Sequence, residues 1–445
     1  MAEVIIRGGT IVTMDPQWSL ETGDVACRDG ELVQVGGRYV PQEHEYEILD
    51  AEGCAVIPGL VQSHVHMCQT LARGRADDLE LLPWLRDLVW PYEASLEAVD
   101  MAASVRLACA ELLLGGTTAV LDMGTVRHTG EIFAAAQGAG LRATSGKVMM
   151  DEATPDIPIP LREDTRASLD ESHQLRKEWH ERAAGRLRYA YAPRFALSCT
   201  RDLLEETAQS ARAAGVRIHT HASENQSEIA EVERRTGLSN IAYLNEVGLT
   251  GGDVCLAHCV WVTEAEREIL RETGTHVSHC PSSNLKLGSG IAEVPELMEA
   301  GVPLSLGADG APCNNNLDAF VEMRLAALLH KPRRGPASMR APLVLRMATQ
   351  GGARALGLGD QIGSLEPGKR GDVAVVDLST EHAIPASNPY SALVYAARAS
   401  DVRHTVVDGE VVVRDRHLLT LDQAEVVSEA RARAREVFTR VGRTA

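Results

Sequence analysis

The chain has 445 residues, too many for one ordinary domain, so a large domain with a smaller companion is expected. Its 44% hydrophobic and 24% charged content is that of a folded globular protein and excludes a disordered one. A formal net charge of −18 repels phosphate backbones and anionic lipid, which argues against a nucleic-acid or membrane-surface binder.

The opening residues Met1-Ala2-Glu3-Val4-Ile5-Ile6 read as strand rather than as a basic signal region, and no apolar run approaches the length of a membrane span. Nine cysteines, an odd set without a Cys-x-x-Cys pair, fit a reduced, cytoplasmic compartment. Within Val4–Val12, Gly8-Gly9 is expected to turn the chain between two short strands. Further β-like pieces follow at Asp24–Cys27 and Leu32–Val35. Matching pieces return only near the other end, at Asp372–Val376, Thr405–Val407 and Glu410–Val413. Each block is too small to fold alone, so residues 1–57 and 363–420 are expected to pair into one discontinuous β-sandwich.

Between them, apolar strands alternate with helical segments. The candidate strands are Val56–His66, Thr117–Met123, Arg142–Met149, Arg188–Arg194, Arg217–Glu224, Val254–Val260, His276–Pro281 and Pro303–Asp309. One intervening helix is plain: Met101, Val105, Cys109 and Leu112 recur at helical spacing within Leu96–Leu114, and Gly115-Gly116 stops the run. Eight such units predict an α/β fold with a closed parallel (β/α)8 barrel over residues 58–362. An open doubly wound sheet would want a glycine-rich phosphate turn after an early strand, and none stands there. Residues 421–445 are expected to form a closing helix, with Asp422 as its cap.

Seven of the 15 histidines (His64, His66, His219, His221, His258, His276 and His279) fall in these strands or at their C-terminal ends, the rim where barrel enzymes collect reactive groups. His64 and His66 are two apart on a strand and face one side, so both imidazoles can reach one metal ion. His219 and His221 repeat the spacing. His258 and Asp309 lie at other strand ends. Imidazoles with one carboxylate suit Zn, Fe, Ni or Mn. Glu224 has the wrong parity for the ligand face, which puts it just past the strand end, where a carboxylate can carry protons. With aromatic residues at only 4%, the walls for a flat ligand come from a short list, and Trp84, Trp90 and Phe195 are the candidates.

Pro58–His66, His219-Thr-His-Ala-Ser-Glu224, Leu256–Cys259, Gly307–Gly310 and Gly363–Lys369, in that order, resemble the amidohydrolase superfamily over nearly the whole chain. Two-metal members bridge their ions with a carboxylated Lys at the end of the fourth strand. Here that strand ends Ala192-Pro193-Arg194, so the likeness is to the one-metal deaminases. It implies one divalent ion, zinc or in some relatives iron, held by His64, His66, His221 and Asp309. Glu224 would shuttle protons, His258 would polarise the attacking water or leaving amine, and Asp309 would take the water's proton. His219 would stand behind the ligands, or with His279 face the substrate. Homo-oligomers are common in the superfamily, though no residue here demonstrates one.

Two sub-branches share these features. Ser283–Ala292 and Asp309–Asn316 resemble deaminases of 5′-modified adenosines, namely 5′-deoxyadenosine, methylthioadenosine and S-adenosylhomocysteine. There the Glu of a Pro-x-Glu turn, here Glu93, grips the ribose diol. Lys147 stands where an Arg would meet the carboxylate of S-adenosylhomocysteine. Gly146–Asp151, Pro193–Cys199 and Gln69 instead resemble guanine deaminase, whose matching Gln and Arg, here Gln69 and Arg194, bind the purine. The loop Asn314-Asn315-Asn316 favours the adenosine type. A triazine amino- or chlorohydrolase would show a replaced Glu224 or His258, and a non-catalytic scaffold would lack ligands. Neither change is present.

Overall fold

The structure, a computed structural model, describes residues 3–152, 154 and 156–442. Met1 and Ala2 of the expected opening strand and the last three residues of the expected C-terminal segment lie outside them.

The barrel strands run Leu60–His66, Thr117–Met123, Arg142–Gly146, Leu187–Pro193, Arg217–Ala222, Val254–His258, His276–His279 and Leu304–Leu306, each parallel to the next. The eighth divides its allegiance. Leu304–Leu306 pairs with the seventh strand, whereas Asp309–Gly310, three residues on, pairs with the first, Asp309 lying opposite Val65 and Gly310 opposite His66. Between them Gly307 passes the first strand so closely that a Cβ would come within 2.6 Å of the His64 carbonyl oxygen. This shift closes the sheet into the expected TIM-type barrel.

Three further strands differ from their sequence reading at glycine, as the eighth does at Gly307. Val56–His66 is two strands, because a Cβ at Gly59 would lie 2.1 Å from Thr118 Oγ1; Cys54–Pro58 belongs to the other sheet and the barrel begins at Leu60. Arg142–Met149 breaks into Arg142–Gly146 and Val148–Met149, since Gly146 crosses the Ala190 carbonyl where a Cβ would be 1.8 Å away. Gly8-Gly9 does not turn the chain. Glu3–Val12 is one strand with an irregularity between Ile6 and Gly9, and Gly8 sits at φ +83°.

Strands from both chain ends pair as expected, in one separate nine-stranded sheet where a sandwich was expected. The two ends meet where Cys54–Pro58 lies antiparallel to Val373–Asp377, with Val56 opposite Val375. Ile6, Ile11, Val25, Val373 and Val406 fill its core. Tyr46–Asp50, parallel to the first strand, was not evident in the sequence because most of its side chains are exposed.

A buried charge cluster joins this sheet to the barrel. Arg142, at the start of the third barrel strand, donates from Nε and Nη2 to the Asp372 carboxylate at 2.9 and 2.8 Å, and from Nη2 to Asp408 at 3.1 Å. The expected first helix spans Ala98–Leu114, ended at Gly115 by Gly116 at φ +78°. The closing helix spans Gln423–Arg440. Asp422 caps it, accepting the Glu425 N–H at 3.0 Å, and Arg106 pairs with Glu429 to hold it to the first helix. Among the described residues no helix is long and apolar enough to cross a membrane.

Candidate metal centre and active site

The ends of the first, fifth, sixth and eighth strands bring His64, His66, His221, His258 and Asp309 together at one mouth of the barrel. His64 Nε2 and His66 Nε2 lie 3.3 and 3.4 Å from Asp309 Oδ1, and His66 Nε2 lies 3.3 Å from His221 Nε2. His258 Nε2 faces Glu224 Oε2 at 3.5 Å and Asp309 Oδ2 at 3.8 Å. Two overlapping sets have ligand atoms close enough to share an ion: His64, His66 and Asp309, and His64, His221 and His258.

Local backbone geometry turns these side chains inward. Ser223, His258 and Asp309 all take left-handed φ, at +51°, +72° and +63°. Each is a strained conformation for a residue with a Cβ, at a cost of about 1–3 kcal/mol, and such strain clusters at functional sites. At Ser223 it ends the fifth strand, so Glu224 projects from the loop as its parity predicted. The capping box of the next helix, Gln226–Thr236, then pins that loop. Glu228 Oε2 accepts the Glu224 N–H at 2.9 Å, and Glu228 Oε1 accepts from Asn240 Nδ2 at 2.9 Å.

The donor set fits a divalent cation. His66 Nδ1 donates to the Met123 carbonyl at 2.7 Å and His221 Nδ1 to the Arg194 carbonyl at 2.7 Å, so both rings carry their proton there and turn bare Nε2 atoms on one another at 3.3 Å. Two facing lone pairs repel unless a cation stands between them. His64 Nε2 is likewise buried with no hydrogen-bond partner. Burial, then the neighbouring His64 ring, drives the proton affinity of His66 down to about 3, and the same causes hold His221 well below the usual imidazole range. These rings are neutral at pH 7, the form that ligates. Burial opposes charge on Asp309, but the rings of His64, His258 and His66 outweigh it and hold the carboxyl well below its usual range. Glu224 goes the other way. Burial, then the carboxylates of Asp309 and Glu228, push it well above. Two carboxyl groups in one site are thus shifted in opposite directions, the pattern of acid–base pairs.

A cavity lies over this group. His66, His221, His258, Asp309 and Glu224 line it, with Gln69 and Arg194, and Leu81, Trp84, Leu85, Phe195 and Leu287 form apolar wall. Of the side chains expected to meet substrate, Gln69, Trp84, Arg194 and Phe195 line the cavity. Trp90, Glu93, Lys147 and His279 do not. Glu93 is buried behind the wall, with both oxygens hydrogen-bonded. Its oxygens accept from Arg194 Nη1 at 2.6 Å and Nη2 at 3.2 Å and from Gln69 Nε2 at 2.8 Å. Lys147 is buried against Glu163 at 2.5 Å, and the buried Trp90 packs in the main core. His279 is buried with neither ring nitrogen hydrogen-bonded, and burial lowers it to about 3. His219 donates from Nδ1 to the Cys255 carbonyl at 3.0 Å, and its Nε2 lies 2.8 Å from His64 Nδ1.

The sequence reading missed two supports. Asn284 Oδ1 accepts from His258 Nδ1 at 2.8 Å, and Ser283 Oγ donates to Asp309 Oδ2 at 2.5 Å. Glu228 was also missed, although Asn225-x-x-Glu228 carries a readable helix-start signal.

A family model, the amidohydrolase family, matches residues 55–412. The chain is 42% identical to a 5-methylthioadenosine/S-adenosylhomocysteine deaminase of Syntrophobacter fumaroxidans, over 98% of each chain. It is 38% identical to a 5′-deoxyadenosine deaminase of Methanosarcina mazei, over 99% of this chain and all of that one. Among solved structures it is similar to an adenosine deaminase of Xanthomonas campestris with bound zinc, with a TM-score of 0.91 and 33% identity over 98% of this chain and 99% of that one. A closed barrel that gathers histidines and an aspartate at its mouth, matched by that family across all of its strands, shows that the chain belongs to the amidohydrolase family.

Proposed function

We propose that the protein is a metal-dependent hydrolytic deaminase of an amino-purine, favouring a 5′-modified adenosine such as 5′-deoxyadenosine, methylthioadenosine or S-adenosylhomocysteine. The observation that carries this reading is the convergence, beside the histidine cluster and in one cavity, of Glu224, Asp309 and His258, with His258 Nε2 lying 3.5 Å from Glu224 Oε2 and 3.8 Å from Asp309 Oδ2. The names of the relatives supply the substrate class. We assign His64, His66, His221 and Asp309 as ligands of one ion, with zinc favoured by the zinc-bound neighbour. When bound, such an ion supplies Lewis acidity, which lowers the pKa of water from 15.7 to about 7.

The chain's own residues then divide the proton work. Glu224 donates its proton to a ring nitrogen, which makes the adjacent amine-bearing carbon electrophilic. Water adds there and gives one proton to Asp309. The second proton transfer takes that proton from Asp309 to the departing amine beside His258, while the added hydroxyl returns its proton to Glu224. The carbon–nitrogen bond breaks, ammonia leaves, and the ring keeps the oxygen as a carbonyl. Trp84 and Phe195 are placed to flank the flat base.

One observation favours a second reading, guanine deaminase. Glu93, with Arg194 and Gln69 on its carboxylate, stands off the cavity, whereas Arg194 and Gln69 themselves line it. An ammonia-release panel on zinc-replete enzyme separates the two, using 5′-deoxyadenosine, methylthioadenosine, S-adenosylhomocysteine, adenosine, guanine and a chlorotriazine. Release from the 5′-modified nucleosides is expected. Turnover of guanine alone would overturn the favoured substrate, and equal rates on guanine and the nucleosides would show that Glu93 does not anchor ribose.

A further inference from the structure

We infer that His219 is a positioning residue for the metal centre, fixing the tautomer of His64 so that this ring presents a lone pair, and not a proton, to the ion. The inference rests on the ligand assignment proposed above. His219 and His64 are both completely buried. The Cys255 carbonyl, 3.0 Å from His219 Nδ1, can only accept, so His219 carries its proton on Nδ1. In the neutral ring Nε2 is then an acceptor, and the atom facing it at 2.8 Å is His64 Nδ1. His64 must place its own proton there to make that bond. Its remaining nitrogen, Nε2, is bare, has no hydrogen-bond partner, and stands 3.3 Å from Asp309 Oδ1. Running the chain backwards would set the lone pair of His219 Nδ1 against the Cys255 oxygen and leave both groups unpaired in a dry interior, which is costly. A backbone carbonyl in the sixth strand thus dictates, through two rings, which atom the first strand offers at the barrel mouth. His66 and His221 need no such intermediary, because each reaches a carbonyl directly.

The test is Zn2+ affinity, measured by chelator competition on the purified full-length protein, with turnover followed separately. His219→Leu removes the acceptor and is expected to weaken zinc binding about 10–100-fold, the usual cost of losing an outer partner of a ligating histidine. His219→Gln keeps an acceptor oxygen and a donor in the same side chain and is expected to stay close to wild type. A folded His219→Leu variant with wild-type affinity would overturn the inference, as would a Gln variant that binds as weakly as Leu. Should the Leu variant not fold, long-range 1H–15N spectra of wild-type protein labelled at histidine decide the matter. They are expected to show the protons of His64 and His219 on Nδ1, and a proton on His219 Nε2 would refute the assignment. Neither readout involves substrate. A protein whose zinc affinity follows His219 but which releases no ammonia refutes the deaminase reading alone, and wild-type protein that binds no zinc removes both the ligand assignment and this inference.

Discussion

Glu224 stands where the fifth strand gives out, held by its own backbone N–H on Glu228 and facing His258. On the proposed mechanism Glu224→Gln keeps the shape and the assigned ligands but removes the proton that the ring nitrogen needs. Zinc content by elemental assay is expected to be unchanged while kcat falls by about 10²–10⁴-fold; a variant turning over at the wild-type rate would refute the shuttle. That His64 and His66 turn to the same side was legible in the sequence because alternation along a strand is strict: two residues apart means the same face. Glu224 was legible by the same rule, since its odd spacing from His221 excluded it from the ligand face. What periodicity does not carry is pairing across the fold. Glu93 and Arg194 are 101 residues apart, so nothing local to either announces that they neutralise one another. Asn284 and Ser283 sat in a quoted motif without a role, because a short polar side chain after a strand end has many uses.

At the scale of elements, two glycines make opposite predictions. A Cβ at Gly146 would strike the neighbouring strand's Ala190 carbonyl, so Gly146→Ala is expected to lose about 1–3 kcal/mol in urea unfolding. Gly138 is exposed inside the helix Thr129–Ala139, with nothing within 4 Å of its missing Cβ, and Gly138→Ala is expected to gain about 0.5–1 kcal/mol. Glycine therefore marked the wrong thing in the reading of Gly8-Gly9. The residue signals a special backbone or a close neighbour, and a turn is only one of those. The helix Ala319–Leu328 supplies a pH-dependent element. Its buried Glu322 accepts from the Ser282 N–H, the Ser282 hydroxyl and Asn314 Nδ2, yet burial outweighs these bonds and lifts it to about 7. Its folded-state affinity for a proton exceeds the unfolded one, so its contribution is complete below about pH 4.5 and is lost as pH rises toward 7. Glu322→Gln is expected to flatten that decline, by at most about 3 kcal/mol between pH 5 and 8 in denaturant titrations. An unchanged slope would show that the group titrates normally.

For the whole molecule, Arg142 is the tie between the barrel and the sheet built from both chain ends. Arg142→Met leaves Asp372 and Asp408 without that buried partner and is expected to cost about 3–5 kcal/mol in unfolding free energy. A loss under 1 kcal/mol would mean that water or Arg370 takes its place. The discontinuous pairing itself was legible, because β-like pieces that do not alternate with helices occur only at the two ends and neither block suffices alone. The barrel's seam was not, since it depends on one strand changing neighbours between Leu306 and Asp309. That seam also sets a timetable. Histidines from the first strand leave the ribosome long before the aspartate that completes their company, with more than half the chain synthesised in between. Full ligation must therefore wait for the last strand to dock, and a captured ion would then fasten the earliest and latest strands of the barrel like a clasp on a closed ring.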